Sequence, residues 1–127
     1  MTKTHKIIYW ITTCLVAFGM TAGGIQQILH TKMMIDLITH IGYPRYFLYI
    51  IGVWKILGAI AIVVPGFKLV KEWAYAGLFF AMTGALASHL AIGDHDFKAI
   101  AGPLFQTIFI CLSWYFRPAD RKINMVN

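Results

Sequence analysis

Four long stretches of the chain carry little but apolar side chains, and each is closed off by charged residues, proline or glycine. The first runs from about Ile7 to Leu29 with no formal charge. At 1.5 Å per residue, a run of about 23 residues covers roughly 30 Å of hydrocarbon. The second, Tyr46 to Val64, ends at Pro65-Gly66. The third, about Glu72 to Ala91, ends at Gly93-Asp94, and the fourth, about Ala99 to Phe116, ends at Arg117-Pro118. Pro103 falls near the start of the fourth, where a helix tolerates proline. Lys3 and Lys6 precede the first run as they would in a signal peptide. The apolar stretch is long, however, and no clear A-x-A site follows, so a retained span is expected.

Between the first two runs the pattern changes. Lys32, Asp36 and His40 recur every four residues, leaving Met33, Met34, Leu37, Ile38 and Ile41 for the other faces. A segment from Thr31 to Gly42 is too short to span and reads as an amphipathic helix at the interface, or one dipping back into the bundle. The chain is thus expected to be all-α. Four transmembrane helices form a bundle, a short amphipathic interfacial helix lies between helices 1 and 2, and residues 1–127 make a single integral membrane domain.

Composition agrees. The chain is 59% hydrophobic and only 13% charged, far below the charge of a soluble domain of this size. Its net charge of +6 would suggest nucleic acid in a soluble protein. Here the cations flank apolar runs, and no basic helix, ribbon or nucleic-acid module is visible, so no nucleic-acid partner is expected. Lys3, Lys6, Lys68, Lys71, Arg117, Arg121 and Lys122 fall on one side of the expected spans, against Lys32, Arg45 and Lys98 on the other. The positive-inside rule then puts both termini in the cytoplasm, with the bacterial inner (plasma) membrane as the expected location. Tyr9, Trp10, Trp73, Tyr75, Trp114 and Tyr115 would form the inner aromatic belt, and Tyr43, Tyr46 and Tyr49 the outer one.

The remaining cation, Lys55, stands mid-run in the second span. A charge there costs at least about 2.5–3.5 kcal/mol to insert, and such residues default to a functional hypothesis. Gly52 and Gly58 lie three residues either side of it, with Ala59 next, so Lys55 is expected on a packed face and not toward lipid. Gly19-x-x-x-Gly23 on helix 1, and Gly77 and Gly84 on helix 3, supply further small-residue packing positions. Gln26, Gln27 and His30, then His89, Gly93-Asp94-His95-Asp96 and Gln106, gather polar groups in the outer half. Lys55, His89, Gln26 and Asp94 are the candidate ligand-binding set; the bland reading is interhelical hydrogen bonding and a solvated loop. Cys14 and Cys111 belong to no C-x-x-C or metal spacing, no metal site is expected, and no complete catalytic motif is present.

The segments Gly42-Tyr-Pro-Arg45, Gly52-Val-Trp-Lys-Ile-Leu-Gly-Ala59, Pro65-Gly66, Lys71-Glu-Trp-Ala-Tyr-Ala-Gly77 and Gly84-Ala-Leu-Ala-Ser-His89 with Gly93-Asp94 resemble the DoxX-like family of small four-helix membrane proteins. The resemblance implies a recurring motif that includes Lys55, Glu72, Ser88, His89 and Asp94. It implies no residue-by-residue catalytic assignment. Relatives include a membrane subunit linked to thiosulfate:quinone oxidoreduction, proteins tied to thiol and oxidative-stress handling, and receptor-assembly chaperones.

Two functions lead as expectations, with a transporter, which would need an oligomer because the chain lacks internal repeats, as a third. One is a polar pocket within the bundle, binding a quinone or similar lipid-soluble molecule. With no haem, flavin or iron–sulfur pattern in the chain, its electrons would come through a partner subunit. The other is a non-enzymatic scaffold or chaperone that docks partner helices. Partners beyond the lipid bilayer would be another membrane protein or further copies of the chain.

Overall fold

A computed structural model describes residues 2–93, 97–118 and Arg121. Their regular structure is helical throughout: α1 (Lys3–Ile28), α2 (Lys32–His40), α3 (Phe47–Val63), α4 (Lys68–Ala91) and α5 (Phe97–Tyr115), with no strand among the described residues. Thr2 starts α1 by accepting a hydrogen bond from the His5 N–H, and Thr31 starts α2 in the same way through Met34. These caps satisfy backbone donors that a helix start leaves without partners. Val64 is extended, as the residue before a proline tends to be, and α3 stops there.

Three helix starts differ from expectation, the first being α1, which begins at Lys3 and not near Ile7. Helix α4 begins at Lys68 and not near Glu72, and α5 begins at Phe97, which puts Pro103 inside the helix. Helices α1 and α4 are long and apolar enough to cross a membrane; α3 is a shorter apolar helix of 17 residues.

The four longer helices contact one another in a cycle. Helix α1 packs on α3 and α5, and α4 packs on the same two, while α2 touches α1 and α3. Val16, Met20, Ala59, Ile62, Tyr75, Leu78, Met82 and Ile110 form the core between them. The closest approach is at Gly24 and Gly52, where a Cβ added to either would stand 2.8 Å from the other's carbonyl oxygen. Only glycine at both places lets α1 and α3 approach so closely. Gly58 faces α4 instead, with Leu78 Cδ2 3.0 Å from a Cβ there.

Tyr9 and Tyr75 are not belt residues. They are 0% and 3% exposed, and the Tyr75 hydroxyl lies 2.8 Å from Ser113 Oγ, itself 2.6 Å from Thr13 Oγ1. This cluster gives the buried Tyr75 hydroxyl its partner at the junction of α1, α4 and α5, whereas the buried Tyr9 hydroxyl has no hydrogen-bond partner among the described residues. Trp10, Trp73, Trp114 and Tyr115 do remain exposed.

Two cations close the C-terminal end of α3. Lys71, fully buried, donates to Ala61 O at 2.7 Å and to Val64 O. Arg121 donates to Ile62 O and Val63 O, both at 3.1 Å, and lies over the Trp10 ring. The last carbonyls of a helix lack intrahelical donors and carry the negative end of its dipole, which accounts for both cations. Beside them Glu72 Oε1 lies 2.9 Å from Arg117 Nε. Neither atom makes a well-aligned hydrogen bond, so the attraction is chiefly ionic, while Trp114 Nε1 donates to Glu72 Oε2 at 3.0 Å.

Candidate functional site

Lys55 sits near the middle of α3, and its half-buried side chain crosses toward α1. Its Nζ stands 3.9 Å from the place a Cβ on Gly23 would take. One turn earlier on α1, a Cβ on Gly19 would fall on the amide of Gln106 from α5. Gly19-x-x-x-Gly23 therefore does not bring two backbones together. It clears room for two polar side chains, and the backbone contact passes to Gly24. Gly77 and Gly84 have no heavy atom within 4 Å of an added Cβ, so neither supports packing within the chain.

Lys55 lines a cavity of about 470 Å³ to which all five helices contribute. That volume lies within the range of small-molecule sites. Much of the wall is apolar, including Met20, Ile38, Leu48 and Met82. Against it stand a few polar side chains: Lys55, Gln27, Ser88, His89 and Gln106. Gln27 is 8% exposed and His89 2%. The Oε1 atoms of Gln27 and Gln106 are buried with no hydrogen-bond partner. At the α4 side the Tyr43 hydroxyl lies 2.9 Å from Ser88 Oγ, which donates to Gly84 O at 2.8 Å. With the serine proton so engaged, Tyr43 is the donor in that pair.

Lys55 and His89, two of the four expected site residues, thus share one cavity wall. Gln26 does not line the cavity; its neighbour Gln27 does. Asp94 lies outside the described residues. Gln27 carried a signal in the sequence: Gly19, Gly23 and Gln27 fall at i, i+4 and i+8 and share one face of α1. Along that face Gln106 stands over Gly19 and Lys55 over Gly23, and Gln27 is the next position, one turn on.

Among the described residues Lys55 has no ion-pair or hydrogen-bond partner, and the ion pair that is present joins Glu72 to Arg117 at the opposite end of α4 from His89. No group of three His, Cys, Asp or Glu able to hold a metal occurs among the described residues. Cys14 and Cys111 are free and exposed. Lys55, Gln27 and Gln106 in the cavity wall offer binding chemistry. A cation and amide groups set in apolar walls can recognise the polar atoms of a molecule whose remainder is apolar.

A smaller hollow of about 370 Å³ lies between α4 and α5, lined by Glu72, Tyr75, Cys111 and Trp114 among others. It holds no cation and adds nothing to the Lys55 site.

No curated protein and no solved structure matches the chain. The model of the DoxX-like family matches residues 11–116, which span α1 from its third turn to the end of α5 and take in Lys55, His89, Gln27 and Gln106. The chain belongs to the DoxX-like family.

Proposed function

We propose that this DoxX-like chain is a multi-pass integral membrane protein whose cavity binds a quinone or similar lipid-soluble molecule as part of a membrane redox system. The observation that carries the reading is Lys55: an ammonium without a partner among the described residues, set in a largely apolar cavity large enough for a small ligand. A cation held there stabilises negative charge on a carbonyl oxygen, which is the polar chemistry of a quinone.

The membrane placement draws support from the outward faces. Phe18, Trp54 and Phe80 are 77%, 68% and 68% exposed, a surface suited to lipid and not to water. Four of the helices would span as a bundle, α2 would lie at the outer interface, and both termini would face the cytoplasm of a bacterial inner membrane. Helix α3, at 17 residues, would cover about 26 Å, a mismatch that local bilayer thinning absorbs. Electrons would reach the ligand through a partner subunit. The test is the melting temperature of the purified chain in detergent across a panel of quinones. A quinone-dependent rise, lost in Lys55→Met, is expected; no rise with any of them contradicts the reading.

Gly77 and Gly84 favour a second reading, a scaffold or chaperone that docks partner helices. They stand seven residues apart on one face of α4 with no heavy atom close to an added Cβ; Gly84 borders the Lys55 cavity, while Gly77 lies clear of it and offers the kind of surface that lets another helix approach. Site-specific crosslinking from Gly77 and Gly84 should then capture one membrane protein, or a second copy of the chain, reproducibly.

A further inference from the structure

The wall of the Lys55 cavity holds three polar groups that lack partners among the described residues, and they are of two kinds. Lys55 is a donor only. Gln27 Oε1 and Gln106 Oε1 are acceptors, each buried without a hydrogen bond. They stand on either side of Lys55 along one face of α1, Gln106 over Gly19 and Lys55 over Gly23, with Gln27 next in the row. An orphaned buried acceptor is costly, and Gln27 is only 8% exposed.

A carbonyl oxygen can accept from Lys55 but leaves both amide oxygens unserved. A hydroxyl serves both kinds: its oxygen accepts from the ammonium while its proton goes to a flanking amide oxygen. We propose that the cavity recognises a lipid-soluble molecule bearing a hydroxyl, a phenol or an alcohol, and holds it in preference to the corresponding carbonyl compound. The inference rests on the reading of the cavity as a binding site and adds the class of polar group bound there. For a quinone and its hydroquinone, it makes the reduced form the tighter ligand.

The experiment measures affinities of the full chain in detergent, under anaerobic conditions, for tetramethylhydroquinone, its dimethyl ether, tetramethylbenzoquinone and farnesol. The hydroquinone should bind at least about fivefold tighter than the quinone and the ether, the worth of one net hydrogen bond. Gln27→Leu with Gln106→Leu should bring that ratio close to one, whereas Lys55→Met should weaken hydroquinone and quinone together. The ether comparison needs no variant and decides the matter if the double variant does not fold. Farnesol identifies the source: affinity near that of the hydroquinone points to an aliphatic alcohol, weak affinity to a phenol. Equal or tighter binding of the quinone overturns the hydroxyl preference while leaving the binding site standing, as when both amides turn their N–H groups to the ligand. Binding of none of the four overturns the site itself.

Discussion

Lys55 on α3 reaches across to α1, and its Nζ stands 3.9 Å from where a Cβ on Gly23 would be. That spacing is ordinary van der Waals contact, so one methyl group fits there and a longer side chain does not. Gly23→Ala should leave both melting temperature and ligand binding near wild type. Gly23→Leu should push the Lys55 side chain aside and reduce ligand affinity by about tenfold or more, the loss expected for a charge-assisted hydrogen bond worth about 1.5–3 kcal/mol. Titration of both variants against the same ligand checks this.

Lys55 and Lys71 should respond to the same substitution with opposite signs. Lys55 lacks a partner among the described residues, so Lys55→Met removes an uncompensated cation and should stabilise the chain by about 1–3 kcal/mol. Lys71 is fully buried and holds Ala61 O and Val64 O. Lys71→Met strands the Ala61 carbonyl and leaves Val64 O only the longer bond from Arg121, at 3.4 Å, and should destabilise by about 1–3 kcal/mol. Thermal melts of the two variants in one detergent decide it. A loss of stability in Lys55→Met would mean that the ammonium is held by structure and not reserved for a ligand.

The glycines of α1, α3 and α4 divide by what stands opposite them. Gly24→Ala puts a methyl 2.8 Å from the Gly52 carbonyl oxygen. Backbone cannot swing aside, so α1 and α3 must separate, at about 1–3 kcal/mol. Gly77→Ala meets nothing within 4 Å and should stabilise by about 0.5–1 kcal/mol through lower unfolded-chain entropy. Gly19→Ala strikes the end of the flexible Gln106 side chain. It should cost less than Gly24→Ala in stability while altering ligand affinity.

Ser113 joins two hydroxyls, Thr13 at 2.6 Å and Tyr75 at 2.8 Å, at a site with 0% exposure. Ser113→Ala leaves both to seek other partners and should destabilise by about 1–3 kcal/mol. Ligand affinity should be unchanged, because Ser113 does not line the Lys55 cavity. Paired melting and binding measurements separate the two effects.

The sequence is clear about where helices lie and less clear about how they turn. Apolar runs, Thr31 before α2, and Pro65-Gly66 after α3 mark the elements within a few residues. Charge misled at one boundary. Lys68 and Lys71 look like a loop, yet Lys71 turns inward to the carbonyls that α3 leaves open. The aromatic pattern misled at Tyr9 and Tyr75, whose polar tips suit a membrane interface as well as a buried hydroxyl cluster. Nothing in a tyrosine distinguishes the two; for Tyr75 it is Ser113, bonded to Thr13 100 residues away, that decides it.

The site shows the same division. Gly52 and Gly58 rightly turn Lys55 inward, although they face different helices, α1 and α4. Choosing between Gln26 and Gln27 needs the rotation of α1, and one residue is about 100° of helix. Helix α1 is apolar nearly all round, so no hydrophobic stripe sets that rotation. The Gly24–Gly52 contact does, and it depends on a pairing that sequence spacing alone does not reveal.

The most direct measurement is photolabelling of the full chain in detergent with an azido-substituted quinone, followed by peptide mapping. If the Lys55 cavity is the binding site, label should appear on the segments carrying Gly19 to Gln27, Ile51 to Lys55 and Gly102 to Gln106. It should be displaced by excess unlabelled quinone and lost in Lys55→Met. Label confined to outward residues such as Phe18, Trp54 and Trp73, undiminished by competitor or by Lys55→Met, would contradict the account.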